Sequence, residues 1–597
     1  MQIQKTNYLF FIFIWSISVS FGVKLSCDSP IYCYGPILEK IQLASIFNDS
    51  KTFVDMPTKK PLNEVLDAAS KLPQNASKST ILDFVNTYFS KEGQELVQTE
   101  IPSFNSSPSF LQKIKQPIIR GFAKKVHNYW PNLARKVDQS FMCSGCESSF
   151  IPINKSFVVP GGRFREIYYW DSYFVIEGLL VSELYEIASN MIQNFLDLIE
   201  IYGFVPNGSR VYYLNRSQPP LLTQMVKIYY EATNDTLLLR KAFPLLLKEY
   251  KFWRKNTTIR VNKNNKQYVL NHYNVYNIHP RPESFLEDYT TVEQDSFNLT
   301  KKKELYSDIA TAAESGWDFS SRWTRNPYIP PSNNSSNNYE MLRTLNIRSV
   351  IPVELNSILY MNEITLSDFA KQVDDSKTVG NTVEWLKNSA KERLEGMIEL
   401  LWDDETAMFR DYNVTSDTKS NIISLASYYP FWAQSLSKDV LTDSKKILKS
   451  FSFVSKLLSK YEGSPPVTLI NSSLQWDFPN AWPPLTYVIV KGLLNSYNSH
   501  NDPELLKIAI ETSQHYVSSV LCAWYSTGGS IPGLVTKLPN ATDNGIIFEK
   551  YSALKAGVSG RGGEYQVQIG FGWTNGVLLW ICSKLGDKLE VPKCING

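Results

Sequence analysis

The segment Ser182-Glu-Leu-Tyr-Glu-Ile-Ala-Ser-Asn-Met-Ile-Gln-Asn-Phe-Leu-Asp-Leu198 places its apolar residues Leu184, Ile187, Met191, Phe195 and Leu198 at spacings of three, four, four and three. That is the period of one face of an α-helix. Ser182 is available as N-cap, with Glu183 and Glu186 in the first turn, where negative charge is favourable. Val383, Leu386, Ala390, Leu394, Met397 and Leu401 repeat the pattern, and Leu237 to Trp253, rich in Leu and Lys/Arg, reads as a further helix. Stripes of this kind are core faces rather than ligand sites. No sustained alternation of apolar and polar residues with Asn-Gly turns interrupts them, so the chain reads as mostly α.

Outward from these helices lie long stretches rich in Pro, Gly and aromatic residues: Val159 to Phe174, Gly203 to Pro220, Asn277 to Tyr289, Gln475 to Pro484 and Gly557 to Gly576. Loops of this length within a compact domain are usually functional. The polar, Asn/Ser-rich Pro330 to Asn338 reads instead as a surface insert. Long helices joined by aromatic loops suggest a helical toroid with its pocket at one end. The 597 residues admit several domains, but no composition break marks a second one. A single domain over 23–597 is expected.

With 61 Lys+Arg against 58 Asp+Glu, a net charge of +3 leaves no concentrated basic face, which argues against nucleic acid as a partner. Residues 1–22 read as a signal peptide: Lys5, an apolar run from Tyr8 to about Val19, then Ser20-Phe21-Gly22. The C-terminal Leu589 to Gly597 lacks the hydrophobic tail of a lipid anchor. The expectation is a secreted protein without a stable membrane anchor. Asn-x-Ser/Thr triplets at Asn48, Asn75, Asn105, Asn234, Asn256, Asn298, Asn413, Asn471 and Asn540 are possible N-glycan sites. Cys27/Cys33 and Cys143/Cys146 are candidate local disulfides, and the latter has no second pair at zinc-site spacing.

The five histidines, His127, His272, His279, His500 and His515, form no metalloprotease motif, and no nucleophile elbow or phosphate-binding glycine loop is present. Carboxylates, arginines, tryptophans and tyrosines remain in the conspicuous loops. Sugars offer flat apolar faces that aromatic rings cover and hydroxyl rims that charged side chains bond. Glycosidic cleavage needs two carboxyl groups, one protonated and one ionised. Asp171, Asp318, Asp477 and Glu564 stand in Gly/Trp contexts and point to a carbohydrate-active hydrolase of unspecified sugar. Trp476, Trp482 and Trp573 read equally as core residues and as sugar platforms. Asp477 reads as a brace or a contact, and Arg165 with Glu166 as loop supports.

Pro160-Gly-Gly-Arg-Phe-Arg-Glu-Ile-Tyr-Tyr-Trp-Asp-Ser-Tyr-Phe174 and Gln475-Trp-Asp-Phe-Pro-Asn-Ala-Trp-Pro-Pro484 resemble the two sequence signatures of the trehalases, glycoside hydrolase family 37. Asn207, Arg216-Ser-Gln218, Arg281-Pro-Glu283, Glu314 to Trp323, Glu549-Lys-Tyr551, Gly562 to Tyr565 and Gly570 to Gly576 agree with the same family in order. The resemblance implies an (α/α)6 barrel that hydrolyses α,α-trehalose with inversion and without metal or cofactor. It makes Asp318 the general acid and Glu549 the general base, whose carboxyls an inverting enzyme spaces ~6.5–9.5 Å apart. Substrate-binding residues would be Arg163, Trp170, Asp171, Asn207, Arg216, Ser217, Gln218, Arg281, Glu283, Gly316 and Glu564. Another (α/α)6 α-glucoside hydrolase and a catalytically silent sugar-binding homologue are the alternatives. The Cys27-x5-Cys33-Tyr-Gly start resembles the secreted animal, particularly insect, members. Arg561 interrupts the glycine run that family members carry before Glu564, so its side chain bears on the lid or points to solvent. Asn207 and Asn215 also head glycosylation triplets, but the motif puts both beside the pocket, so neither is expected to carry a glycan.

Overall fold

Burial sorts the long helices into two kinds. The structure, a computed structural model, describes residues 27–138, 140–328, 339–373 and 377–595. Asp171–Val181 (α2) is buried from Asp171 through Leu179, and Gly572–Leu585 (α13) is buried almost throughout. A helix as apolar on every side as Val577-Leu-Leu-Trp-Ile581 is stable only with protein all round it. Tyr185–Tyr202 (α3) and Ser444–Lys460 (α10) bury one stripe each, Ile187, Met191, Phe195 and Leu198 in the first, Ile447, Phe451, Val454 and Leu458 in the second. These two kinds become an inner and an outer ring.

The inner ring runs α2, Leu222–Thr233 (α4), Val353–Val373 (α7), Tyr429–Ala433 (α9), Pro483–His500 (α11) and α13, each packed on the next and α13 closing on α2. Outside it lie Pro117–His127 (α1), α3, Thr236–Thr257 (α5), Lys377–Leu401 (α8), α10 and Pro503–Ser526 (α12), alternating with the inner helices along the chain. This is the (α/α)6 barrel expected from the sequence. Its closure depends on Gly178 and Gly576: a Cβ on Gly178 would stand 2.5 Å from the Gly576 Cα, so only glycine lets the first and last inner helices approach this closely. Leu299–Ser315 (α6), the longest of the helices described between α5 and α7, ends at the barrel mouth.

The long loops run directly into helices. Asp171, Pro483 and Gly572, near the ends of three of those stretches, are the first residues of α2, α11 and α13. Ser182 does not cap α3: it closes α2, and its Oγ accepts from Trp130 Nε1 (3.1 Å), while Leu184 stands at the α3 N-cap. A hairpin not expected from the sequence joins Thr258–Lys263 to Lys266–Asn271 through Asn264 and Asn265, both left-handed. Asn tolerates that conformation in a two-residue turn, so Asn-Asn serves where Asn-Gly was the signal sought.

The helices Pro36–Leu43, Ser50–Val54, Leu62–Ser70 and Lys78–Tyr88 build a second small core around Tyr32, Phe53, Phe84 and Phe89. Tyr168, Tyr212, Tyr213 and Phe285, from the loops at the barrel mouth, share that core, so this N-terminal segment caps the mouth. Disulfides join Cys27 to Cys33, Cys143 to Cys146, and Cys522 on α12 to Cys594, and Cys582 is a buried thiol. The signal peptide expected over 1–22 and the insert expected over Pro330 to Asn338 lie outside the described residues. Among the described residues no helix is long and apolar enough to cross a membrane.

Candidate active site

Loops leading into the inner helices meet at one pocket, because each inner helix starts at the same end of the barrel. Twelve of the thirteen site residues proposed from the sequence line it: Arg163, Trp170, Asp171, Asn207, Arg216, Gln218, Arg281, Glu283, Gly316, Asp318, Glu549 and Glu564. Ser217 is the exception. It is fully buried behind the wall, its Oγ donating to the Val205 carbonyl (2.6 Å) and its N–H to Glu314 (3.0 Å). Through these bonds Ser217 fixes the Arg216–Gln218 turn, and its side chain is turned to the Val205 carbonyl rather than to the cavity.

Asp318 reaches the pocket from the turn that ends α6. Gly316 there is left-handed (φ 75°), and a Cβ on it would lie 2.9 Å from the Trp170 indole. Glycine is therefore required both by the turn and by the ring packed on it. The Asp318 main-chain carbonyl accepts from Gln475 Nε2 (2.5 Å). Among the described residues no other residue donates a hydrogen bond to its carboxylate. Burial pushes that carboxyl up to about 6, with Arg281 and Arg216 opposing and Glu549 adding.

Glu549 is 1% exposed and held from several sides. Tyr565 Oη donates to Oε1 (2.9 Å) and the Gln568 N–H to Oε2 (3.3 Å), while Trp573 Nε1 bonds the main-chain carbonyl (2.9 Å). Burial raises its carboxyl, against the pull of Lys550, the Tyr565 and Gln568 hydrogen bonds, and Arg163. Asp171 lies near both: its carboxyl is pushed well up, by burial first and then by the Glu549 and Asp318 charges.

Three arginines from three loops converge on the cavity. Arg281 is gripped by Asp288 (2.7 and 2.9 Å) and Glu564 (2.9 Å). Arg216 pairs with Glu283 and lies over the Tyr213 ring. Arg163 bonds Asp49 (2.7 Å) and lies 4.6 Å from the Tyr565 ring centre. Asn207 donates to the Ser217 and Ala313 carbonyls (both 3.2 Å), and Gln218 accepts from the Trp170 N–H (3.1 Å). Glu564, on the Gly-Gly-Glu-Tyr loop, also accepts from Ser284 (3.2 Å). Arg561 in that loop is exposed, and Asn480 bonds its N–H and its carbonyl (both 2.8 Å).

The tryptophans serve both readings. Trp476 and Trp482 stack at 4.0 Å and Trp317 stacks on Trp476 at 5.2 Å, so they are core; yet Trp476, Trp482 and Trp573 also line the pocket. Arg165 pairs with Glu92, and Glu166 takes the Lys51 ammonium (2.6 Å), both holding the loop rather than entering the cavity. Sequence reasoning missed Lys51, Asp49, Phe164, Tyr168, Tyr213, Ser284, Tyr565 and Phe571. Phe164, Tyr168, Tyr565 and Phe571 sat inside stretches already singled out, as flat faces suited to a sugar. Nothing local in Asp49-Ser-Lys51 says that it meets a loop 114 residues away.

The chemistry this arrangement supports is acid–base cleavage of a polyhydroxylated substrate. Two buried carboxyls face a cavity walled by indoles and rimmed by charged hydrogen-bond donors. The sequence model of the trehalase family matches residues 45–586. Trehalase from Dictyostelium discoideum is 39% identical over 592 residues, covering 97% of this chain and 94% of that protein. Trehalases from Apis mellifera and Homo sapiens are 38% and 36% identical, over 94% of this chain in both cases and 85% and 90% of their own. Among solved structures, neutral trehalase Nth1 from Saccharomyces cerevisiae superposes with a TM-score of 0.53 at 25% identity, over 74% of each chain.

Proposed function

The chain belongs to the trehalase family, and from that premise we propose that it hydrolyses α,α-trehalose to two glucose molecules with inversion, Asp318 acting as general acid and Glu549 as general base. The observation that carries the assignment is the unequal surroundings of the two carboxyls. Asp318 is raised to about 6 by burial and, its own N–H aside, accepts no hydrogen bond from another described residue, so it keeps a proton to give. Glu549 accepts from Tyr565 and the Gln568 N–H and has Lys550 and Arg163 nearby, which favour the carboxylate a base must be.

In the reaction, Asp318 donates its proton to the bridging oxygen as the bond to the anomeric carbon breaks. Glu549 takes a proton from the water that attacks the opposite face. The product glucoses leave with Asp318 ionised and Glu549 protonated, and exchange with solvent resets both. Arg163, Arg216 and Arg281 bond hydroxyls, while Trp170, Tyr565 and the indole wall cover the sugar faces.

Inversion fixes the stereochemistry of the products. One anomeric carbon inverts, so β-glucose and α-glucose are released in equal initial amounts. Proton NMR of the anomeric region in the first minutes, before mutarotation, tests this, and initial α-glucose alone would remove Glu549 as a base acting on water.

We also read the chain as secreted and N-glycosylated. Three disulfides support this, since such bonds persist in oxidising compartments. Expression in a secreting cell, followed by a mass measurement before and after enzymatic deglycosylation, tests both. Protein retained in the cell, or an unchanged mass, goes against the reading.

A further inference from the structure

Behind the pocket wall, next in sequence to Glu549, stands Lys550. It is 0% exposed and does not line the cavity. A buried ammonium is costly unless its donors are used. Here Nζ donates to Gln475 Oε1 (2.8 Å) and to the Gly562 carbonyl (3.1 Å), and lies 4.9 Å from the centre of the Trp482 ring.

Each partner belongs to a different part of the site. Gly562 is on the loop that presents Glu564, and the Gly560 N–H on the same loop bonds the Lys550 carbonyl (2.9 Å). Gln475 turns its side-chain amide nitrogen to the Asp318 main-chain carbonyl (2.5 Å), and the Gln475 main-chain carbonyl accepts from Trp482 Nε1 (2.9 Å) and Asn480 Nδ2 (3.0 Å). One ammonium thus links the segment of Glu549, the loop of Glu564 and, through one amide, the backbone of Asp318.

We propose that Lys550 is a positioning residue for the reaction, a cation behind the wall that holds the Asp318 loop and the Glu564 loop in register with Glu549 and keeps Glu549 in its ionised form. This rests on the assignment of Asp318 and Glu549 above. The charged and titratable groups around Glu549 are Lys550 next to it in the chain, Tyr565 on the glycine-rich loop, Arg163 on the loop before α2, and the carboxylates Asp171 and Asp318. Of the two cations, Lys550 has the larger pull on Glu549.

The test is Lys550→Met, which keeps the length of the side chain and removes charge and donors. Wild-type protein must first release glucose from trehalose; if it does not, the functional reading fails and not this one. The expected variant is folded, with a melting temperature within a few degrees of wild type and kcat lowered ~10–100-fold, the scale of a small misplacement of reacting groups. The acid limb of kcat/KM should also move to higher pH, because a base that loses a neighbouring cation takes up its proton more readily. Wild-type kcat, or a fall in kcat with an unmoved acid limb, overturns the proposal. Should Lys550→Met not fold, Gln475→Met breaks the same link in the middle while leaving the cation. There kcat should fall ~10-fold or more with the acid limb unmoved, and wild-type kcat in that variant overturns the link.

Discussion

Asp318 and Asp477 are two carboxyls that the sequence marks alike, each beside a tryptophan in a conspicuous loop, and burial raises both to about 6. Their surroundings are opposite. Asp477 is 0% exposed and accepts from Ser320 Oγ (2.9 Å), Ser321 N (2.7 Å), Ser321 Oγ (2.9 Å), Thr468 Oγ1 (2.9 Å) and Ser472 Oγ. Asp318 opens onto the cavity, and no other described residue donates to its carboxylate. A shifted titration therefore does not separate a catalytic carboxyl from a structural one; the count of donors already used does. Asp477 spends its lone pairs on the loop two and three residues past Asp318, so the Gln475–Asp477 motif is the brace and the Asp318 turn is what it braces.

The largest effect expected from this difference is on activity. Asp318→Asn and Glu549→Gln each leave a folded protein whose kcat on trehalose falls by at least ~10²-fold, the usual scale of acid or base catalysis. Asp477→Asn, with a similar shape, should lose far less. A glucose-release assay on the three variants decides, and near-wild-type turnover in Asp318→Asn would erase the distinction.

Stability should respond the other way round. Asp477→Ala strands four hydroxyls and an N–H in a dry interior, and ~3 kcal/mol of folding free energy is expected to go with them. Asp318→Ala removes no such partners and should leave denaturant unfolding within ~1 kcal/mol of wild type. Equal losses in the two variants would show that donor count does not identify a brace.

The same rule, carried to the cap, gives a smaller effect. Asp49 accepts from the Lys51 N–H (2.9 Å) and from Arg163 (2.7 Å), so it braces an arginine that lines the cavity without lining it itself. Asp49→Asn keeps the shape and weakens a charge-assisted hydrogen bond, which should lower kcat/KM ~10-fold. Arg281, held by both Asp288 and Glu564, should tolerate loss of one partner better. Steady-state kinetics of Asp49→Asn and Glu287→Gln, the latter a neighbouring carboxylate bonded to Ser50 (2.9 Å), checks that the effect belongs to the Arg163 contact.

How much of this was legible in the sequence follows from the range of the interactions. Three outer helices, α3, α5 and α8, could be read from their sequence, because helix period is local, whereas inner helices such as α2 and α13, buried on every side, carry no stripe to read. The pocket lining could be read from motif resemblance, which led to Asp318 and Glu549 but also to Ser217, since a motif records that a turn is kept and not which way each side chain faces. Asp49 and Lys51 escaped because their partners lie more than a hundred residues along the chain and only the folded cap brings them to the mouth. The role of Asp477 stayed open for a related reason: its donors Thr468 and Ser472 are near in sequence, but Ser320 and Ser321 come from another loop altogether. The Asn264-Asn265 hairpin was missed for want of the glycine that usually signals it.

The finest discrimination is in the shape of a pH profile. An acid that must hold its proton makes kcat/KM fall as pH rises through its titration, so a carboxyl near 6 gives an alkaline limb in that region. Asp318 and Asp477 both titrate there, and wild-type data alone assign the limb to neither. α-Glucosyl fluoride separates them, because fluoride departs without needing a proton. With that substrate, Asp318→Asn should retain much of the wild-type rate and show no alkaline limb near 6. Asp477→Asn, measured at a temperature where it is folded, should keep the alkaline limb on trehalose where wild type has it. A limb that persists in Asp318→Asn and vanishes in Asp477→Asn would transfer the acid role to the buried, five-bonded carboxyl. It would also mean that hydrogen bonds to Asp477 are made to its protonated form, with one hydroxyl turned to accept.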